Sequence, residues 1–208
     1  MDEVHRKKEL RCPLANDDYD SEQRDMISER EIWGKKIKNR KGELGLRRGG
    51  TKFLGDVAVR ILAHHLERHV PNLRFVRGPA FVLDAEESEF DLLIVDKDAT
   101  GAKFTNAFPR SEVCSIVEVK GVGLICKKLD VETRLKKAIS ETSKRLGLPV
   151  LYLSFIESKS YIEEVRKALG NNAFILARAK GTNFPEPLAG EWKRFVVRVS
   201  ELLESRNK

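Results

Sequence analysis

Two short apolar runs, EFDLLIVD at 89–96 and EVCSIVEVK at 112–120, most constrain what this chain can fold into. Each is strand-length, rich in β-branched and aliphatic residues, and bounded by polar stretches. LRFVRGPAFVLD precedes the first run across the acidic turn AEES, as an adjacent strand. Downstream, PVLYLSF and AFILARA predict two more strands. Helical spacing fills the gaps. In TKFLGDVAVRILAHHLERHVP, Phe53, Val57, Ile61, Leu62 and Leu66 line an inner side, Asp56, Arg60, His64 and Glu67 a polar one, and Pro71 limits the helix. In KKLDVETRLKKAISETSKRLG, Leu129, Leu135, Ile139, Thr142 and Leu146 face inward and Gly147 closes the helix. SKSYIEEVRKALG is a third helix, and RFVVRVSELLESRNK predicts an edge strand followed by a terminal helix. Together these predict an α/β fold with a mixed central sheet covered by helices, its strand order unreadable.

At 208 residues the chain can build one ample core. The expected division is an N-terminal basic, helical arm over 1–50 and a catalytic-sized domain over 51–208. Residues 1 to about 20 read as irregular. A helix is expected from Ser21 to Lys38, its Met26, Ile27, Glu31, Ile32 and Ile37 following the period only loosely. The glycines of KGELGLRRGG then make a hinge or loop. With 41% hydrophobic and 34% charged residues the composition is that of a soluble globular protein. No apolar stretch approaches a membrane span and MDEVHRKKEL lacks the apolar core of a secretory signal, so the expected location is cytoplasmic. Cys12, Cys114 and Cys126 are odd in number and not closely paired, which favours neither a disulfide framework nor structural zinc; Cys114 reads as a small buried hydrophobe.

The net charge is +7. From Trp33 to Lys52 eight Lys or Arg residues stand against the single acid Glu43, a run suited to a phosphate backbone. Candidate contacts there are Lys35, Lys36, Lys38, Arg40, Lys41, Arg47 and Arg48. A second basic cluster comprises Lys127, Lys128, Arg134, Lys136 and Lys137. Charge of this kind places a backbone without reading bases. Trp33 is either a base-stacking residue or a buried anchor of the arm.

The chemistry rests on a constellation. Asp91 stands in EFDLLIVD and the next strongly apolar strand ends in Glu118, Val119 and Lys120. Alternation puts Glu118 and Lys120 on one face of that strand, with Val119 turned away. Two carboxylates suit Mg²⁺, with Mn²⁺ as a substitute, and a neighbouring ammonium can stabilise a negatively charged phosphoryl transition state. Asp91 followed by Glu-Val-Lys resembles the signature of the PD-(D/E)xK nuclease superfamily, the restriction-endonuclease-like fold. A longer stretch, from GDVAVRILAHHLERHVPNLRFVRGPAFVLDAEESEFDLLIVD to FPRSEVCSIVEVKGVGLICKKLDVETRLKKAI, resembles a largely uncharacterised subfamily and covers about residues 42 to 146.

The resemblance implies a Mg²⁺-dependent endonuclease, acting on DNA rather than RNA. Asp91 and Glu118 would hold the metal, the Val119 carbonyl would add an oxygen, and Lys120 would stabilise the reaction. An acid on the first core helix often joins the family's metal shell; Asp56 best matches it, although the family usually has Glu there. The family's common Gln after E-x-K has no counterpart, leaving that auxiliary residue unidentified. Asp96 reads as the polar end of its strand. His64, His65 and His69 lack a zinc pattern and are expected to face solvent or cap. Three alternatives stay open: a silent nucleic-acid-binding module, a partner-activated defence or repair nuclease, and a structural oligomer with a basic surface. A homodimer would pair two centres to cut both strands of a duplex.

Overall fold

The structure is a computed structural model that describes residues 16–40, 50–83, 89–102, 105–121, 134–181 and 184–206. Helices α1 (Asn16–Arg40) and α2 (Gly50–His69) lead into strands β1 (Leu73–Val82), β2 (Phe90–Asp96), β3 (Ala107–Phe108) and β4 (Val113–Lys120). Helix α3 (Lys136–Leu146), strand β5 (Val150–Ser154), helix α4 (Lys159–Leu169), strands β6 (Ala173–Ile175), β7 (Ala177–Arg178) and β8 (Glu186–Pro187), and helix α5 (Glu191–Arg206) follow. The six-stranded sheet has the order β3-β1-β2-β4-β5-β6. β1, β2 and β4 run antiparallel to their neighbours in turn, whereas β4, β5 and β6 are parallel. The sheet is therefore mixed, and α3 and α4 lie on the crossovers that its parallel half requires.

Strand alternation sends side chains to two faces. One face joins Leu92, Ile94, Val117, Leu151 and Leu153 to α1, α2 and α5 through Met26, Ile27, Leu62, Leu66, Trp192 and Phe195. The other packs Leu93, Val95, Ile116 and Val150 against Leu146 of α3, and Tyr152 and Ile175 against Ile162 and Val165 of α4. Gly147 closes α3 in the left-handed region at φ 60°, where a side chain is strained.

Four local expectations are corrected. RFVVRVSELLESRNK forms no edge strand: α5 starts at Glu191, and Phe195, Val196 and Val199 are buried at helical spacing while Val197 is exposed. Helix α1 already begins at Asn16. Phe53 is 41% exposed rather than inward. His65 and His69 neither face solvent nor cap. Glu22 on α1 turns a carboxylate toward them: His65 Nδ1 lies 2.6 Å from Glu22 Oε1, and His69 Nε2 hydrogen-bonds Glu22 Oε2.

Cys114 is buried, and burial pushes its thiol up to about 11. Asp96 ends β2, where it accepts a hydrogen bond from Cys114 Sγ and pairs with Arg206 at 3.2 Å. No helix among the described residues is long and apolar enough to cross a membrane.

Candidate active site

The β2–β4 ladder pairs Leu92 with Val117 and Leu93 with Ile116, which, carried one residue on, sets Asp91 across from Glu118. There the pairing changes character. The N–H of Val119 donates to a side chain, Asp91 Oδ2, at 2.9 Å. Asp91, one residue into β2, thus satisfies a neighbouring backbone donor with its side chain.

Val117 and Val119 are buried in the core, so alternation leaves Glu118 and Lys120 on the opposite face. Lys120 Nζ hydrogen-bonds Glu118 Oε1 and lies 3.8 Å from Asp91 Oδ2. One ammonium therefore ties together two carboxylates that are each more than a third exposed. Burial alone would lower the pKa of Lys120, but the carboxylates of Glu118 and Asp91 outweigh it and raise the pKa above its usual value. Lys120 is a standing cation rather than a proton acceptor.

Asp91 and Lys120 open onto a cleft of about 550 Å³ between β1, β2, β4 and the helices α1 and α2. Gly78 lets β1 pass close by: a Cβ there would meet the Phe90 carbonyl at 2.3 Å. Asp56 lines the same cleft from α2 and is exposed. Among the described residues no three His, Cys, Asp or Glu side chains come together as a metal-holding group, so Asp56 does not close a three-acid set with Asp91 and Glu118. An oxygen-only pair of carboxylates still fits Mg²⁺, which keeps several waters and takes only one or two protein carboxylates.

Three arginines in the cleft escaped the sequence reading: Arg30 of α1, Arg60 of α2 and Arg77 of β1. Arg60 carried a usable signal, lying one helical turn after Asp56 on the face already read as polar. Arg30, within the charge-rich ISEREIW, carried none.

The nominated basic residues are more scattered. Lys35, Lys36, Lys136, Lys137 and Arg134 are exposed on α1 and around the start of α3. Lys38 and Arg40 belong to α1, but their side chains, together with Lys41, Arg47, Arg48, Lys127 and Lys128, lie outside the described residues. Trp33 is 38% exposed, tilted against Phe53 at 6.4 Å, with Lys36 Nζ 4.9 Å from its ring centre.

No protein-family model and no curated protein sequence matches the chain. Among solved structures it is similar to P. aeruginosa ATCC27853 NucC in its cAAA-bound form, with a TM-score of 0.58, 12% identity, and 91% of each chain covered. It is likewise similar to cAAA-bound NucC of E. coli MS115-1, with a TM-score of 0.58, 14% identity, and 91% of this chain and 90% of that one covered. At such identities what is shared is the fold: a restriction-endonuclease-like mixed central β-sheet flanked by helices.

Proposed function

We propose that this protein is a metal-dependent endonuclease that hydrolyses phosphodiester bonds in DNA. The observation that carries the reading is the ammonium of Lys120 held between Asp91 and Glu118 at one strand end, open to a cleft. Mg²⁺, or Mn²⁺ in its place, supplies Lewis-acid polarisation of the phosphate and acidifies water when bound. Asp91 and Glu118 would hold it, with the Val119 carbonyl as a further oxygen donor and Asp56 across the cleft reaching it only through water. Lys120, kept protonated by its two carboxylates, offsets negative charge developing on the phosphoryl oxygens. Arg60 and Arg77 add positive charge to the cleft, and the exposed lysines Lys35, Lys36, Lys136 and Lys137 would place the nucleic-acid backbone.

The test is cleavage of supercoiled plasmid, linear duplex and single-stranded DNA in Mg²⁺, Mn²⁺ or EDTA, each with and without cAAA, the ligand held by the two similar structures. Asp91→Asn, Glu118→Gln and Lys120→Ala should each lower the cleavage rate at least ~100-fold while the proteins melt cooperatively. Undiminished cleavage in all three variants would remove the proposed centre. Binding without cleavage under every condition would instead favour a nucleic-acid-binding module on the same fold.

A further inference from the structure

Arg30 is buried, its side chain 6% exposed, yet among the described residues it has a thin set of partners for a guanidinium. Nη1 donates to Glu31 Oε1 at 2.5 Å, whereas Nε has no hydrogen-bond partner among the described residues. A guanidinium carries five N–H donors, and burying them unpaired is costly. Two glycines pack against this one. A Cβ on Gly34 would lie 3.5 Å from Arg30 Nη1, and a Cβ on Gly121 would lie 3.7 Å from Nε. Gly121 directly follows Lys120, so the guanidinium sits at the strand end that carries the candidate centre. Asp56, Glu89 and Asp91 also line that cleft, but none of them is an ion-pair partner of Arg30 among the described residues. A buried cation beside Lys120, incompletely paired among the described residues, is poised for an anion that comes from outside the chain.

We propose that Arg30 is a phosphate-binding residue: from α1 its guanidinium holds a non-bridging oxygen of the phosphodiester that enters the cleft beside Asp91 and Lys120. The proposal rests on the nuclease reading of that cleft. Arginine suits the role because its planar fork gives two parallel bonds to a phosphate, which a lysine ammonium cannot.

The experiment measures fluorescence anisotropy of a labelled oligonucleotide in EDTA across a salt series, for the wild type, Arg30→Met, Arg30→Lys and a charge control, Lys167→Gln, on the exposed side of α4. Arg30→Met should bind roughly tenfold more weakly and flatten the log Kd against log salt slope by about 0.9, the share of one phosphate contact. Arg30→Lys should keep most of the slope but not the affinity. Lys167→Gln should change neither. Thermal melts separate this from a structural role: because Nε is unpaired, Arg30→Met should melt at the wild-type temperature or above it. Unchanged affinity and slope in Arg30→Met, or a lowered melting temperature with Arg30→Lys restoring both stability and full affinity, would overturn the proposal. Its failure is distinct from failure of the nuclease reading. Cleavage that needs Asp91 but shows the same KM and Kd in Arg30→Met refutes Arg30 alone, whereas Arg30-dependent binding without cleavage in any metal refutes hydrolysis alone.

Discussion

Glu157 is a buried acid outside the proposed centre. It follows β5 and is 1% exposed. Burial pushes its carboxyl up from its ordinary 4.5 to about 7, only partly opposed by hydrogen bonds from the Ser158 N–H and the Tyr152 hydroxyl. Between pH 4.5 and about 7 the folded protein therefore holds a proton that the unfolded chain has released. Linkage gives the sign: this contribution is full below the unfolded value and is lost as pH rises through the folded one. Glu157→Gln, neutral at every pH, should flatten the decline of melting temperature across that window. An unchanged slope would mean that the carboxyl does not titrate there. Nothing in SFIESKS marks Glu157 as buried, because burial of an acid is decided by what packs over it. Asp91, Glu118 and Lys120 were legible for the opposite reason: two sit two residues apart on one strand, and strand alternation alone puts them on one face. That Lys120 would bridge them, and that Arg30 would stand behind them, depends on contacts across the sheet and with a distant helix.

At the scale of elements, α1 departs furthest from a simple amphipathic reading. It buries Met26, Ile27 and Ile37 but leaves Ile32 and Trp33 exposed, and it also buries the polar pair Glu22 and Gln23. Those two residues explain the pattern. Gln23 Nε2 donates to the carbonyls of Leu176 and Leu188, while its Oε1 accepts from the Trp192 backbone N–H. Glu22 accepts from Trp192 Nε1 at 2.8 Å and meets His65 and His69 of α2. Burial by itself would raise the Glu22 pKa; the bonds from His65, His69 and Trp192 override it and hold the carboxyl well below its ordinary range. The stabilisation is present above the unfolded value of 4.5 and is lost as pH falls below it. Glu22→Ala, which strips two buried imidazoles and an indole of their acceptor, should cost about 3–5 kcal/mol in denaturant unfolding at pH 7, and its loss relative to wild type should shrink in acid. A cost under about 1 kcal/mol at pH 7 would show that the cluster does not fasten the helix. Sequence periodicity missed this because the helix is held by polar side chains whose partners lie 43 to 170 residues away. The terminal helix departs from its expectation for a related reason: RFVVRV alternates well enough for a strand, and it is the burial of Phe195, Val196 and Val199 beside an exposed Val197 that reveals helical spacing.

At the scale of the molecule, the sequence marked helices and strands without their order, since neighbours in β3-β1-β2-β4-β5-β6 are joined by register that no local pattern encodes. The order matters for function. It sets β2 beside β4, and it gives each chain one strand end where Asp91 meets Glu118 and Lys120. On the proposed nuclease reading, a single centre hydrolyses one strand per encounter, so a lone chain should nick supercoiled plasmid. Cutting both strands in one event requires two centres, and the +7 charge allows two chains to gather on one polyanion. Over a hundredfold range of protein concentration, nicking should stay first order in protein while the share of linear product climbs. Gel time courses at fixed plasmid concentration read both quantities. A linear share that does not move with protein concentration would mean that strand cuts are independent and that paired chains play no part in duplex cleavage.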